Sequence, residues 1–233
     1  MEAVILAGGL GTRLRSRLTD LPKSMAPIGG RPFLQILLDQ LIEAGCGRVI
    51  LSVGHMRQVI IETFGDGYRN LPIDYAIEDT PLGTGGAIQL ALQQARESSV
   101  LILNGDTYLD ANYSLMLSHH LNARSSMTMA VTRVGDIARY GGVVLEAGRV
   151  SSFLEKGNSG PGWINAGAYV LERDFPWPAQ LASRFSFETD VLAPFVGQIH
   201  PVAFPCEGYF LDIGIPEDLD RAAFELSSKR TTD

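Results

Sequence analysis

The amino-acid sequence predicts an α/β fold: a three-layer, mostly parallel (Rossmann-like) sheet, continued by a mixed α+β second half. Three observations predict it. Up to Leu103, apolar runs of strand length alternate with helical patterns, which implies parallel strands joined by right-handed crossovers. The first of these runs, Ala3-Val4-Ile5-Leu6-Ala7, passes straight into Gly8-Gly9-Leu10-Gly11. Beyond Asp106 the strict alternation stops and hairpin-like pairs appear.

Each element has its own reason. Ala3–Ala7 is a buried strand. Pro32–Ala44 reads as a helix, with Pro32 in its first turn, Phe33, Ile36, Leu37, Gln40 and Leu41 at helical spacing, and Gly45 at its end. Arg48–Val53 is a second strand, followed by an amphipathic helix near Gln58–Phe64. Ile73–Ile77 is a third strand, Thr84–Ala95 a helix and Val100–Leu103 a fourth strand. In sheets of this kind ligands sit at the carboxyl ends of the strands. Gly8, Glu78 and Asp106 fall just past strand ends, which predicts one shared rim. Later, Ser114–Asn122 reads as a helix and Met127–Arg133 as a strand. Gly142–Glu155 reads as two short strands turning at Glu146-Ala147-Gly148-Arg149. Trp163–Leu171 is another strand, Phe187–Phe195 a helix, and Pro216–Leu226 a closing helix with acidic residues in its first turn.

With 233 residues, the chain suits one large domain spanning 1–228 and a short tail at 229–233. Its 26 acidic residues against 19 basic give a net charge of −7, which argues against a nucleic-acid partner. A small anionic ligand stays open, because Arg13, Arg15, Arg17, Lys23 and Arg31 crowd into one stretch. Arg15 and Arg17 fit a solvated loop equally well. Cys46 and Cys206 lie far apart with no metal-ligand spacing, so reduced thiols are expected. No apolar run approaches ~18 residues, and no basic segment precedes the first strand. A cytoplasmic protein without a membrane span is the expectation.

Closely spaced glycines after a buried strand expose backbone N–H groups at a helix-directed turn, which cradles phosphate. Arg13 and Lys23 add two cations, more than a plain strand–turn–helix connection needs. The third glycine of a dinucleotide fingerprint would fall on Leu14, and no Gly-Lys-Ser/Thr follows, so neither the dinucleotide motif nor a P-loop is present. Asp106 and Asp212 each follow an apolar strand. Two carboxylates from distant segments can share a magnesium ion, although each alone also reads as a turn-capping Asp.

Leu6-Ala7-Gly8-Gly9-Leu10-Gly11-Thr12-Arg13-Leu14 with Pro22-Lys23 resembles the signature of the sugar-1-phosphate nucleotidyltransferases. The resemblance continues through Pro81-Leu82-Gly83-Thr84-Gly85-Gly86-Ala87, Asn104-Gly105-Asp106, Phe153-Leu154-Glu155-Lys156, Asn165-Ala166-Gly167 and Asp212-Ile213-Gly214-Ile215-Pro216, in the family's order. It implies a sheet of the nucleotidyltransferase type, with about 1–110 holding the nucleotide and about 111–228 the sugar phosphate. It also implies Mg2+ on Asp106 and Asp212, and a triphosphate clamp of Arg13 and Lys23. Leu6, Ala7, Gly8, Gly9, Gly11, Thr12, Glu78, Pro81, Gly83 and Thr84 would line the nucleotide site. Asn104, Tyr140, Gly141, Glu155, Lys156, Asn165 and Gly167 would line the sugar-phosphate site. For Glu155-Lys156 a surface ion pair, and for Asn165 a tight packing point, are the plainer readings. The attacking sugar phosphate is already ionised at neutral pH, so none of His55, His119, His120 and His200 is needed as a base; His119 and His120 read as surface or partly buried.

At the position of Glu78, uridylyl- and thymidylyl-transferring relatives typically hold Gln. Guanine presents two adjacent donors, for which an acceptor-only carboxylate is a bidentate match. The alternative is a Glu that caps the loop. The stretches Leu14–Pro27 and Gly208–Asp218 look most like heptose 1-phosphate guanylyltransferases of the family, with mannose-1-phosphate guanylyltransferases or enzymes using UTP, dTTP or CTP as alternatives. The expected partners are GTP and a manno-configured sugar 1-phosphate, for a surface polysaccharide such as capsule or lipopolysaccharide. A non-catalytic nucleotide-sugar sensor is the alternative outside enzymology, and it would be expected to lose Arg13, Lys23, Asp106 or Asp212. Family members of this length are often dimers, so a homodimer stays open.

Overall fold

The structure is a computed structural model that describes residues 1–228 except Leu10, Thr12, Arg13, Arg15, Ser16 and Thr19. In chain order it runs β1 (Glu2–Leu6), a 3-10 turn (Lys23–Met25), β2 (Pro27–Ile28), β3 (Arg31–Pro32), α1 (Phe33–Glu43), β4 (Arg48–Val53) and α2 (Arg57–Phe64). Then come β5 (Gly67–Tyr68), β6 (Leu71–Ile77), α3 (Gly83–Leu92), β7 (Ser99–Asn104), β8 (Thr107–Leu109) and α4 (Tyr113–Ala123). The second half holds β9 (Met127–Val134), β10 (Val143–Glu146), β11 (Arg149–Phe153), β12 (Gly162–Glu172), a π-helical turn (Phe187–Leu192) and α5 (Ala193–Ile199). It closes with β13 (Val202–Cys206), β14 (Phe210–Asp212) and α6 (Pro216–Ser228).

Ten strands form one sheet in the order β10-β11-β13-β9-β12-β7-β1-β4-β6-β5. The segment β7-β1-β4-β6 is parallel throughout. β12 then joins antiparallel to both β7 and β9, so the complete sheet is mixed. Period-2 alternation sends each strand's side chains to two cores. Ala3 and Ile5, Leu101 and Leu103, Val49 and Leu51 meet α1, α2, α4 and α6 on one face. Val4, Val100, Ile102 and Ile50 meet α3 and α5 on the other. These are the three layers. Phe33, Leu34, Leu37, Leu38 and Leu41 of α1 are fully buried, each worth about 1.5–3 kcal/mol of transfer free energy.

Three sequence expectations need correction. The helix expected over Phe187–Phe195 opens as a π-helical turn, and the α-helix follows at Ala193–Ile199. Pro194 has no N–H to give the carbonyl four residues back, so the chain takes the wider turn before it. β13 was not expected at all, because Pro205 sits inside it. On one side β13 pairs with β9 along its whole length, whereas β11 reaches it only at Val202. Pro205 therefore lacks a donor where the ladder has little use for one. His120 is fully buried, its Nδ1 2.9 Å from Thr128 Oγ1 and its Nε2 2.8 Å from Glu172 Oε1.

Candidate active site

The carboxyl ends of β1, β6 and β7 open into a cleft of about 490 Å³. Leu6, Ala7, Gly8, Gly9 and Gly11 form one wall, Glu78, Pro81, Gly83 and Thr84 another, and Lys23, Asn104 and Asp106 the floor. Thr12 and Arg13 lie outside the described residues. Of Arg17, Lys23 and Arg31, only Lys23 reaches the cleft: Arg17 pairs with Asp220 on the surface, and Arg31 with Asp39. Gly105 lets the floor close onto β1. Its N–H donates to Leu6 O at 3.1 Å, and a Cβ there would stand 2.4 Å from that oxygen. At the opposite wall Gly83 has φ +74°, and a Cβ would lie 2.4 Å from Phe185 O. Phe185 in turn donates its N–H to Leu82 O, and Thr84 Oγ1 accepts from Phe187 N at 2.9 Å. The Pro81–Thr84 loop is thus pinned by a segment far along the chain. That segment also brings Arg184 to the cleft lip, as sequence reading missed.

Glu78 lines this cleft and caps its loop. Its Oε2 accepts from Leu82 N at 3.0 Å and its Oε1 from Ser52 Oγ at 3.2 Å. A carboxylate has about four lone-pair sites, so two remain for a ligand.

A second, smaller cavity of about 120 Å³ adjoins the first and shares Asn104 with it. Tyr140, Lys156, Asn165 and Gly167 line it as expected from the motifs. Gly141 stands beside it rather than in it, and Glu155 is exposed outside it. Carboxylates are nonetheless present, from Glu188 and Asp212. Burial pushes the Glu188 carboxyl up from its ordinary value, opposed by Lys156 and by the Asn165 amide. Glu188, Arg139, Thr107 and Phe210 were missed: the last three stand beside or within motif stretches that single out their neighbours, and no local motif marks Glu188. Glu188 in particular opens a turn that reads as an ordinary amphipathic helix. Asn165 has both amide ends engaged, donating to Tyr169 OH at 2.6 Å and accepting from Gly167 N at 3.1 Å, and it shapes the bulge between Asn165 and Tyr169.

Lys23, Asp106 and Asp212 sit at the seam of the two cavities. Lys23 Nζ donates to Asp106 Oδ2 at 2.6 Å and lies 3.8 Å from Asp212 Oδ1. β14 pairs antiparallel with β8, with Asp212 opposite Thr107, which brings the two carboxylates together from distant segments. Burial raises the Asp212 carboxyl above its ordinary value, and the Asp106 charge adds to that; Lys23 and Arg139 oppose it. Asp212 Oδ1 is buried and accepts no hydrogen bond. Among the described residues no cluster of three or more His, Cys, Asp or Glu can cage a metal alone. Two carboxylates, one with an unsatisfied oxygen, instead fit a magnesium ion that takes its remaining oxygens from phosphates and water. None of the four histidines lines either cavity. Among the described residues no helix is long and apolar enough to cross a membrane.

The nucleotidyl transferase family model matches residues 2–229. The D-glycero-alpha-D-manno-heptose 1-phosphate guanylyltransferase of Aneurinibacillus thermoaerophilus is 41% identical, over 97% of this chain and 98% of its own length. The enzyme of the same name from Campylobacter jejuni is 42% identical, over 94% and 96%. HddC from Yersinia pseudotuberculosis, solved in complex with GMP-PN, superposes with a TM-score of 0.82 at 38% identity, covering 97% of this chain and 99% of that one. A match to the family model along nearly the whole chain, on a fold whose strand ends build two adjoining cavities, leaves one conclusion: this chain belongs to the nucleotidyl transferase family.

Proposed function

We propose that the protein transfers a guanylyl group from GTP to D-glycero-α-D-manno-heptose 1-phosphate, giving GDP-heptose and pyrophosphate. The observation that carries this reading is the placement of Lys23, Asp106 and Asp212 at the seam between a larger and a smaller cavity. Two cavities meeting at one charged cluster suit a reaction in which two anionic substrates meet end to end. The names of the relatives supply the base and the sugar.

The larger cleft takes GTP. Backbone N–H groups of Gly8, Gly9 and Gly11 and the Lys23 ammonium hold its phosphates, with Arg13 assigned by its motif. Glu78 accepts from the guanine N1–H and 2-amino group while still capping Leu82. In the smaller cavity Lys156 meets the sugar phosphate, and Asn165 and Glu188 face the hydroxyls. One ionised phosphate oxygen of the sugar attacks the α-phosphorus of GTP. The new P–O bond forms as the α–β bridging bond breaks, and pyrophosphate leaves with the electron pair. No proton moves, consistent with the absence of a histidine from both cavities. Asp106 and Asp212 would hold Mg2+, which when bound supplies positive charge to the reacting phosphates. Positioning and charge neutralisation carry most of such catalysis.

Residues 1–110 form the nucleotide half and 111–228 the sugar half of one domain in this reading. The enzyme acts in the cytoplasm in this reading and supplies activated heptose for a surface polysaccharide. Incubation with GTP, Mg2+ and the heptose 1-phosphate, followed by mass analysis of the product, tests it. GDP-heptose is the expected product; unchanged substrates would refute the reading.

A further inference from the structure

We propose that Arg139 is the positioning residue for Asp212, holding one oxygen of that carboxylate so that the other is presented to the divalent cation. This rests on the reading of Asp212 as a metal ligand. The carboxylate of Asp212 is not fixed by its own soft terminal torsion. Asp106 repels it, Lys23 and the Gly214 N–H attract it, and no hydrogen bond holds its Oδ1. Arg139 adds a hold on Oδ2. Its Nη2 lies 3.5 Å from Asp212 Oδ2 and donates to the main-chain oxygen of Asp212 at 3.4 Å. One guanidinium nitrogen therefore fixes both the backbone and the side chain of that residue.

The other edge of the same guanidinium is anchored. Arg139 Nη1 pairs with Asp218 in the first turn of α6, and Asp218 is buried and also lies 3.3 Å from Arg221. The face of the guanidinium lies 4.9 Å from the Tyr140 ring centroid, and that ring meets Phe210 edge-on at 5.5 Å. Phe210 and Asp212 project from the same face of β14. The loop thus grips the short strand twice, through Tyr140 on Phe210 and through Arg139 on Asp212. A planar fork with five donors can span two carboxylates in fixed directions; a lysine ammonium is a single point charge and cannot. The arrangement also leaves Asp212 Oδ1 toward Lys23 and Asp106, where the cation is needed. Arg139 borders the smaller cavity as well, so a direct contact with the sugar phosphate is the competing role.

The test is Mn2+ binding to the protein saturated with a non-hydrolysable GTP analogue in the absence of Mg2+, measured by calorimetry for the wild type, Arg139→Ala, Arg139→Lys and Asp212→Asn. Thermal unfolding and steady-state kinetics accompany it. Loss of a partner that orients a metal ligand typically weakens metal affinity by about 10–100-fold. Arg139→Ala and Arg139→Lys are both expected to weaken Mn2+ by about tenfold or more, and to lower kcat more than they raise KM for the sugar phosphate. Should Arg139→Ala fail to fold, Arg139→Lys, which keeps the charge, carries the measurement. Full retention of Mn2+ affinity by Arg139→Lys overturns the two-edged bridge. A raised KM for the sugar phosphate at unchanged Mn2+ affinity makes Arg139 a substrate contact and overturns the proposal. Lowered stability at unchanged Mn2+ affinity makes it a structural ion pair and does the same. If Asp212→Asn leaves Mn2+ binding as in the wild type, the metal assignment itself fails. If Asp212→Asn loses it while both Arg139 variants keep it, only the positioning role fails.

Discussion

Lys23 holds its ammonium between two carboxylates of opposite origin, one from the end of β7 and one from β14. In the proposed reading Lys23→Ala removes a donor to the reacting phosphates, and it leaves Asp106 and Asp212 without the cation between them. Loss of one such donor typically costs about 2.7–4 kcal/mol, so turnover should fall by about 10²–10³-fold. Circular dichroism shows whether the variant is folded; near-normal turnover in a folded protein contradicts the assignment. Asp106→Asn and Asp212→Asn should each remove most activity and flatten the Mg2+ titration of the rate, because an amide brings no negative charge to the ion. An unchanged titration excludes that residue as a ligand. Glu78→Gln separates two roles, since the amide oxygen can still cap Leu82 while its NH₂ meets a guanine donor. A buried donor left unpaired costs about 1–3 kcal/mol, so the ratio of kcat/KM for GTP over UTP should fall by about tenfold or more. If the ratio holds, base choice lies with the backbone instead. At this scale the motif residues were legible because glycines, lysine and aspartates stand in short, ordered strings. Glu188 and Arg184 were not, since they reach the cavities from segments with no local signature, and Arg139 was passed over beside Tyr140-Gly141.

The loop from Pro81 to Thr84 and the segment from Arg184 to Phe187 behave as one element, although about a hundred residues of chain separate them (residue numbers 84 and 187). Gly83 is one of the points where they touch, beside Leu82 and Thr84. Gly83→Ala would place a methyl group 2.4 Å from Phe185 O at φ +74°. A left-handed conformation alone costs a non-glycine residue about 1–2 kcal/mol, and the clash adds to it. For a chain of this size about 1 kcal/mol moves the melting temperature by about 2–4 °C. A drop of about 4 °C or more, with weakened GTP binding, is the expected calorimetric result; an unchanged Tm means that the two segments are not locked together. Elements with strong periodicity, such as α1, β4 and α4, were read within a residue or so of their bounds. Boundaries failed where proline intervened: Pro194 forces the π-helical turn, and Pro205 hides β13. Neither effect shows in hydrophobic pattern alone, because a proline's cost depends on what its missing N–H would have met.

For the molecule as a whole, the parallel alternation in the first half was enough to predict the three layers and the rim at the strand ends. How the second half attaches was not legible. The antiparallel union of β12 with β7 is a long-range pairing that no local pattern specifies, and it is this union that sets the smaller cavity beside the larger. The overall charge of −7 says nothing of the local balance, in which Lys23, Lys156, Arg139 and Arg184 face Glu78, Asp106, Glu188 and Asp212 around the two cavities. The central claim is that those cavities bring GTP and a manno-configured heptose 1-phosphate together. It is tested most directly by pyrophosphate release measured across GTP, ATP, UTP and CTP, each with the heptose, mannose and glucose 1-phosphates. The account predicts the highest kcat/KM for GTP with the heptose 1-phosphate, and little release from UTP or CTP with any sugar. Preference for a pyrimidine triphosphate, or no release from any pair, would contradict it.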